Sequence, residues 1–390
     1  MKTLIELYDE RPVENVLATE VFKPEKTVFL CNADIAADKA LHERLRGYFR
    51  HKGIRTEAVF LETAMYRTDS VLAALNDAVA DNDDCVLDIT GGTDAALFAC
   101  GVLNAKNDIP AFTYSRRRNK FFRISGAPFE DALPCTVRHS VEDCFRMAGG
   151  SLKTGRVEKD VVTRYLPIAD NFFSVYLSHR TAWTRAVGYI VLASQPAKGE
   201  LPSLSVSAPI KMRSGGRENR APEDILYALA DIGMLKDLDI RNGTVRFAFA
   251  DEQIRAWLRD IGSVLELYVY KTCIGTGLFH DVRLSAVVDW EASRHRDGVT
   301  NEIDVMAMQG IVPAFISCKT CAVTTEALNE LAVLRGRFGG KAARAAIVTS
   351  TECQAVTRHR AAELSIDVID LTDLKANRLS DRIHSLMRID

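Results

Sequence analysis

The hydrophobic and polar positions of the first 145 residues follow two alternating periods. Short apolar runs rich in β-branched residues predict strands at 3–8, 27–31, 56–61, 85–90 and 111–115. The segments between them repeat apolar residues every three or four positions, which predicts helices at 12–22, 36–51, 70–80 and 94–104. Strands that alternate with helices indicate a parallel α/β sheet. Residues 1–145 are therefore predicted to form a Rossmann-like domain.

The pattern changes over residues 146–250, which we interpret as a connector. Its predicted elements are a helix at 171–193, a long loop at 195–221, a helix at 222–233 and a hairpin at 235–249. The hairpin is predicted from Asn242-Gly243, because Asn-Gly between two apolar runs is a strong turn signal. A helix followed by a hairpin gives this segment winged-helix character. An irregular subdomain that packs two larger domains explains the same pattern.

Residues 251–390 are predicted to form a second α/β domain. Its elements are a helix at 252–273, strands at 284–290, 302–309 and 313–320, a helix at 324–338, a strand at 344–350, a helix at 354–364, a strand at 366–371 and a terminal helix. A helix, a three-stranded meander, a helix and a further strand give the order αβββαβ.

Composition restricts the class of protein. A chain of 390 residues with 47% hydrophobic and 26% charged residues has the balance of a globular protein with two or three domains. A net charge of −2 lacks the basic excess of a nonspecific nucleic-acid binder, although basic clusters occur at 116–120 and 335–344. The sequence contains no membrane-length apolar run and no signal peptide, so we expect a cytoplasmic protein without membrane contact.

Two loops of the first domain have the chemistry of a ligand site. In parallel sheets, ligands bind beyond the carboxyl ends of strands, where loops expose backbone N–H groups. The residues at these positions are Asn32 and Ala33 after the second strand, and Thr90, Gly91, Gly92, Thr93 and Asp94 after the fourth. The glycines allow a tight turn, and Thr93 or Asp94 can cap the following helix. Ordinary strand-to-helix turns are an equal alternative, and no G-x-G-x-x-G follows the first strand to indicate a dinucleotide.

Charged residues in the second domain predict a different site. Strand alternation places Glu302 and Asp304 on one face, with Ile303 and Val305 as an apolar floor on the other. If the next run pairs as a hairpin across 309–312, these carboxylates meet a lysine.

The residues that join them are Ser317 and Lys319 on that run and Glu266 on the upstream helix. Carboxylates and an ammonium on one rim can hold a divalent cation beside a phosphodiester. Cross-strand charge pairing on an exposed face is the structural alternative. A zinc site at Cys318 and Cys321 would lack further ligands.

Three stretches of this domain resemble the PD-(D/E)xK nuclease domain. They are Gly262-x-x-x-Glu266-x-Tyr268-Val269-Tyr270, Asn301-Glu302-Ile303-Asp304-Val305 and Phe315-Ile316-Ser317-Cys318-Lys319. The segment Asp88-Ile89-Thr90-Gly91-Gly92-Thr93 resembles the ligand loop of a CARF sensor domain. In this order and at this length, the chain is similar to the CARF–nuclease effectors of type III CRISPR systems. Cyclic oligoadenylate, usually cyclic tetra-adenylate, activates these effectors.

The resemblance implies a homodimer that shares one cyclic ligand and cuts DNA or RNA with Mn²⁺ or Mg²⁺. It implies that Asp304 is the central metal ligand and that Glu266 is a further ligand or orients water. The Cys318 carbonyl would be a backbone ligand, Lys319 would position the attacking water, and Glu302 would support the site.

Two residues depart from the family pattern. Ser317 stands where the family usually has Glu, and a neutral hydroxyl is a weaker ligand for a cation. Asp94 stands where a lysine is common, so we expect Asp94 to be an N-cap turned away from phosphates and Arg116 to supply positive charge. The alternative function is a nucleotide-responsive, DNA-binding transcriptional regulator whose nuclease domain is degenerate.

Overall fold

The computed structural model describes residues 1–153, 159–196, 201–290 and 299–388. Its N-terminal part contains, in order, β1 (Thr3–Leu7), α1 (Leu17–Phe22), β2 (Lys26–Cys31), α2 (Ala33–Ala37), α3 (Lys39–His51), β3 (Glu57–Glu62), α4 (Thr68–Ala80), β4 (Cys85–Asp88), α5 (Asp94–Asn107), β5 (Ala111–Ser115), β6 (Lys120–Ser125) and β7 (Ala132–Pro134). The five predicted strands and their intervening helices are present.

The N-terminal sheet has the strand order β3-β2-β1-β4-β5-β6-β7. The first five of these strands are parallel, which confirms the α/β fold class. β1 lies between β2 and β4, so the strand order reverses at β1 and leaves a crevice at the carboxyl ends of these strands. Two antiparallel strands, β6 and β7, extend the sheet beyond the parallel pattern that the sequence predicted.

The middle of the chain contains α6 (Val141–Met147), β8 (Ser151–Lys153), α7 (Lys159–Thr163), α8 (Leu166–Ser178), α9 (Arg180–Ala193), β9 (Ser205–Pro209), β10 (Lys211–Ser214), β11 (Arg217–Arg220), α10 (Glu223–Asp231), β12 (Leu235–Arg241) and β13 (Thr244–Phe249). The predicted hairpin is present, with Asn242 and Gly243 at φ 49° and 72°.

Two predictions for this segment were wrong. The segment predicted as a long loop contains three strands, because the alternating residues Val206 and Ala208 are buried where β9 pairs with β13. The single helix predicted at 171–193 is two helices, α8 and α9, which are separated at His179.

The C-terminal part contains α11 (Glu252–Leu258), α12 (Ser263–Gly275), β14 (Asp281–Asp289), β15 (Thr300–Gln309), β16 (Val312–Lys319), α13 (Thr325–Gly339), a 3-10 helix (Gly340–Ala342), β17 (Arg344–Thr349), α14 (Ala355–Glu363), β18 (Asp367–Ile369), α15 (Leu371–Lys375) and α16 (Leu379–Met387). The αβββαβ order is present, although the predicted first helix is interrupted between α11 and α12. The sheet order is β18-β17-β16-β15-β14-β8, so the short strand β8 closes one edge.

The C-terminal sheet has a buried core on each face. On one face, α12 and α16 pack together with apolar residues of the connector, including Trp183, Leu226 and Phe247. On the other face, α13 and α14 cover the sheet. The connector and the C-terminal sheet therefore share one continuous core. Within the described ranges, no helix is both long enough and apolar enough to cross a membrane.

Candidate functional site

The predicted hairpin carries the charged residues of the second domain. β15 and β16 pair antiparallel, and Gln309 faces Val312 across a turn in which Gly310 has a φ of 59°. Asp304 lies in the middle of β15, and Ser317 and Lys319 lie in the last part of β16. The prediction that a hairpin unites the two runs is confirmed.

One carboxylate oxygen is the centre of this cluster. Asp304 Oδ2 accepts a hydrogen bond from the Cys318 backbone N–H at 2.6 Å and one from the Ser317 hydroxyl at 3.1 Å. Lys319 Nζ lies 3.9 Å from the same oxygen. Burial raises the pKa of Asp304, whereas the Cys318 N–H and the Lys319 charge lower it. Asp304 is thus oriented by a backbone donor and a hydroxyl, with an ammonium close by.

Glu266 approaches this cluster from α12. Its pKa is raised to about 8, mainly by burial and then by the charges of Asp304, Asp260 and Glu302, while the charge of Lys319 lowers it. A Cβ atom at Gly262 would lie 2.8 Å from Glu266 Oε1, so the absent side chain at Gly262 leaves room for this carboxylate. The spacing Gly262-x-x-x-Glu266 therefore has a steric reason, because residues four apart are neighbours on a helix.

The predicted apolar floor beneath Asp304 was wrong. Ile303 packs into the core beneath α13, whereas Val305 packs into the core beneath α12. The ladder between β14 and β15 lacks a pair at Ser285 and Asp304, and Ser285 has a φ of 52°. This irregularity turns the strand, so that residues two apart lie on opposite faces. Asp304 lies at the point where the strand turns.

The carboxylate oxygens of Glu266 and Asp304 are of the chemical type that binds a divalent cation. Carboxylate oxygens are the ligands that Mg²⁺ and Mn²⁺ prefer, and two carboxylates with raised pKa values would be relieved by a positive charge between them. In the described part of the chain, no group of three or more His, Cys, Asp or Glu side chains forms a metal cluster. A cation held by Glu266 and Asp304 would therefore need oxygens from the backbone, water or substrate to complete its shell.

A second cavity lies at the crevice where the strand order of the N-terminal sheet reverses. Its volume is 440 Å³, and it is lined by residues from the ends of β1, β2 and β3 and the loop after β4, including Asn32, Gly92 and Thr93. Gly92 has a φ of 90°, and a Cβ atom there would lie 2.7 Å from Leu7 Cδ1. A residue with a side chain would therefore be both strained and blocked at this position.

Some of the predicted loop residues line this cavity, and others contact the neighbouring strands instead. The Asn32 side chain accepts a hydrogen bond from the Met65 N–H at 3.1 Å, and Thr93 caps α5 by accepting from the Ala96 N–H at 3.2 Å. Thr90 is directed into the sheet, since its backbone N–H donates to Asp88 at 2.8 Å and its hydroxyl accepts from the Tyr114 N–H at 2.8 Å.

The remaining predicted loop residues lie outside the lining of this cavity. Gly91 packs against the end of β1, where a Cβ atom would lie 3.0 Å from the Leu7 carbonyl oxygen. Ala33 begins α2. The expectation that Asp94 is an N-cap was wrong, because Thr93 takes that position and Asp94 is the first residue of the helix. Arg116 forms an ion pair with Glu14 and lines a neighbouring cavity.

Residues after β1 also line this cavity of the N-terminal sheet, although the sequence pattern did not single them out. They are Tyr8, Asp9, Glu10 and Arg11. Asp9 is bound twice by the Arg11 side chain, at 2.7 and 2.6 Å, and its backbone N–H donates to Asn15. The charged run that follows the first strand was the available signal, because β1 borders the reversal of strand order.

Comparison with known proteins places these sites in a family context. Residues 251–386 match the sequence model of the Card1-like endonuclease domain family. The predicted resemblance to the CARF-associated nucleases of type III CRISPR systems is confirmed. Protein VC1899 from Vibrio cholerae has the same fold, with 17% identity, coverage of 99% of this chain and 98% of that chain, and a TM-score of 0.77.

A second solved structure shares the whole fold. Can2 from Sulfobacillus thermosulfidooxidans, solved in complex with cyclic tetra-adenylate, is 15% identical, with 99% of each chain covered and a TM-score of 0.71. A comparison with curated protein sequences gives no significant match. The C-terminal domain is thus similar to an endonuclease domain, and the whole chain shares the fold of these two solved structures.

Proposed function

We propose that this protein is a metal-dependent nuclease that cyclic oligoadenylate activates. In this proposal, residues 1–145 form the sensor, 146–250 the connector and 251–390 the nuclease domain. The observation that carries the proposal is the convergence of Asp304, Lys319 and Glu266 inside the region that matches an endonuclease family. Isolated surface charge pairs do not require a half-buried carboxylate with a raised pKa on the neighbouring helix.

Each charged residue has a proposed role in hydrolysis of the phosphodiester. Asp304 and Glu266 would hold Mn²⁺ or Mg²⁺, with the Cys318 carbonyl as a backbone ligand. The cation, when bound, would polarise the phosphate and lower the pKa of a bound water. The Lys319 ammonium would orient the attacking water and stabilise the charge that develops on phosphorus. The Ser317 hydroxyl donates to Asp304, so we propose that Ser317 positions this ligand.

The hairpin that carries the site also reaches the sensor. Ile311, at its tip, is buried among sensor residues that include Leu4, Phe112 and Phe121. The Gly310 carbonyl accepts a hydrogen bond from the His139 N–H at 3.0 Å. Asp304 and Lys319 are on the same two strands as this tip, so a shift of the sensor would move the hairpin directly. We propose this hairpin as the element that couples ligand binding to cleavage.

Cyclic tetra-adenylate is the proposed activator, because Can2 of the same fold was solved with it. The cavity at the end of β1 presents a helix N-terminus and backbone groups near Gly92, which suit phosphate. A ring of four nucleotides is larger than this 440 Å³ cavity. This size difference supports a homodimer in which two cavities share one ligand.

One observation favours the regulator as a second candidate. Ser317 places a neutral hydroxyl where the family has a carboxylate, so the cation would have one charged ligand fewer. A regulator would bind duplex DNA in a ligand-dependent way and leave it intact.

The test is to incubate the protein with Mn²⁺ and plasmid, single-stranded DNA or RNA, with and without cyclic tetra-adenylate. We expect cleavage of at least one substrate only when the activator is present. Retention of intact DNA in gel shifts, without cleavage of any substrate, would favour the regulator.

A further inference from the structure

A cavity lies between the sensor and the nuclease domain. Its volume is 760 Å³, within the range of small-molecule sites. The sensor contributes Tyr8, Arg11 and Arg44 to its wall, and the nuclease domain contributes Arg335, Arg337 and Arg344. Five arginines therefore face one cleft that also contains two carboxylates, Glu10 and Asp367.

Four of these arginines have no carboxylate partner among the described residues. Arg11 is the exception, with ion pairs to Asp9 at 2.6 Å and Glu14 at 3.6 Å. Across the described ranges, Arg44, Arg335, Arg337 and Arg344 form no ion pair with a carboxylate. Backbone carbonyls orient two of them.

The wall of the cleft has two arginine contacts with backbone carbonyls and two buried guanidinium N–H donors without a described partner. Arg335 donates to the Ser365 carbonyl at 2.6 Å, and Arg344 donates to the Arg388 carbonyl at 2.9 Å. The buried Nε atoms of Arg44 and Arg344 have no hydrogen-bond partner within the part of the chain that is described. Guanidinium groups held in place but without counter-charge are suited to bind a multivalent anion.

The position of this cleft separates it from the candidate catalytic residues. Arg344 begins β17 opposite Ala314, whereas Lys319 lies opposite Thr349 at the other end of the same strand pair. Five residues of strand separate them by about 16 Å. The cleft instead adjoins the sensor cavity, because Tyr8, Glu10 and Arg11 line both.

We propose that this arginine cleft is a second binding site, distinct from the sensor cavity, for a small phosphate-rich anion. An inorganic oligophosphate and a nucleoside triphosphate share the required chemistry, and Tyr8 at the wall offers a surface for a base. A cleft of 760 Å³ suits such a small ligand, whereas a nucleic-acid duplex would need a longer groove. The bound anion would bridge the sensor and the nuclease domain and hold them in one relative position.

Calorimetric titration of the full chain with inorganic triphosphate, in EDTA and at low salt, tests the proposal. We expect one binding event per chain. Arg335→Gln combined with Arg344→Gln should weaken it at least tenfold. Arg337→Glu is a second variant that preserves the fold, since Arg337 is exposed. Arg213→Gln removes an exposed arginine of the connector and should leave binding unchanged.

Further titrations identify the ligand. Equal affinity for triphosphate and ATP would assign the site to phosphate, whereas tighter ATP binding with no binding of adenosine would assign it to a nucleotide. The proposal is wrong if triphosphate does not bind or if the cleft variants bind it as the wild type does. It is also wrong if saturating cyclic tetra-adenylate abolishes triphosphate binding, because the two cavities would then be one site. None of these measurements depends on nuclease activity.

Discussion

The N-terminal sheet and the C-terminal domain each contain a pair of acidic residues with raised pKa values, and the surroundings of the two pairs differ. In the N-terminal sheet, Glu6 and Asp88 face each other on neighbouring strands, and each is at most 4% exposed. Burial raises the pKa of Glu6, and it raises the pKa of Asp88 to about 7. Thr90 donates to Asp88, and Thr19 donates to Glu6. These carboxylates are satisfied by neutral donors inside the sheet.

The carboxylate pair in the C-terminal domain is more exposed and lies beside a positive charge. Glu266 and Asp304 are half-buried, and the ammonium of Lys319 lies beside them. A raised pKa alone therefore marks burial, whereas a raised pKa beside a cation and an opening to solvent indicates a reactive site. The comparison predicts that substitutions in the first pair change stability and that substitutions around the second pair change cleavage.

The largest effect is expected from Asp304→Asn. The amide keeps the shape but loses the negative charge, so activator-dependent cleavage should fall about 100-fold or more. The melting temperature should not fall, because burial disfavours the charge that is removed. Initial rates of plasmid cleavage with Mn²⁺ measure the first effect, and thermal denaturation followed by circular dichroism measures the second. Asp231→Asn, at the exposed end of α10, is the control; equal rates for both variants would contradict the assignment of Asp304.

A smaller loss of activity is expected from Gly262→Ala. The added Cβ atom displaces the Glu266 carboxylate, which should lower the cleavage rate about tenfold. Gly262 has an ordinary helical φ of −83°, so the free energy of unfolding should change by less than about 1 kcal/mol. Gly275→Ala, in the last turn of the same helix and with open space around it, should leave the rate unchanged. A normal rate in Gly262→Ala would show that the position of Glu266 does not matter.

The smallest effect on cleavage is expected from Glu6→Gln, which should change stability instead. Burial raises the pKa of Glu6 in the folded state, so the folded protein binds more protons and its stability falls as the pH rises above about 4. Removing the Glu6 charge should make this fall shallower and raise the free energy of unfolding at pH 8 by about 1–3 kcal/mol.

Urea denaturation at pH 5 and pH 8 measures the pH dependence of the Glu6→Gln variant. Glu57→Gln, at an exposed residue that begins β3, is its control. A variant less stable than the wild type at pH 8 would show that the Glu6 charge is compensated in the fold.

The sequence predicted features that depend on local periodicity. The αβββαβ order, the hairpin between β15 and β16 and the Asn242-Gly243 turn follow from apolar spacing and turn chemistry. Features that depend on distant partners were not predictable in this way. β9 forms a strand because β13 lies beside it, and the turn in the chain at Asp304 depends on Ser285 in another strand.

The sites follow the same division. The residues of the candidate nuclease site form short motifs, so their convergence could be predicted from spacing. The cavity of the N-terminal sheet forms where β1 lies between β2 and β4. The contribution of Tyr8 and Arg11 therefore depends on the strand order, which local sequence spacing does not determine. The arginine cleft joins residues more than 290 positions apart, and single motifs carry no information about such a site.

The most direct test is the rate at which Lys319→Ala cleaves plasmid DNA with Mn²⁺ and saturating cyclic tetra-adenylate. Lys375→Ala, an exposed lysine on α15, is the matched control. If Lys319 acts on the reacting phosphate, its loss should reduce cleavage about 100-fold or more while the affinity for cyclic tetra-adenylate stays unchanged. Cleavage at the wild-type rate by Lys319→Ala would contradict the proposed nuclease site.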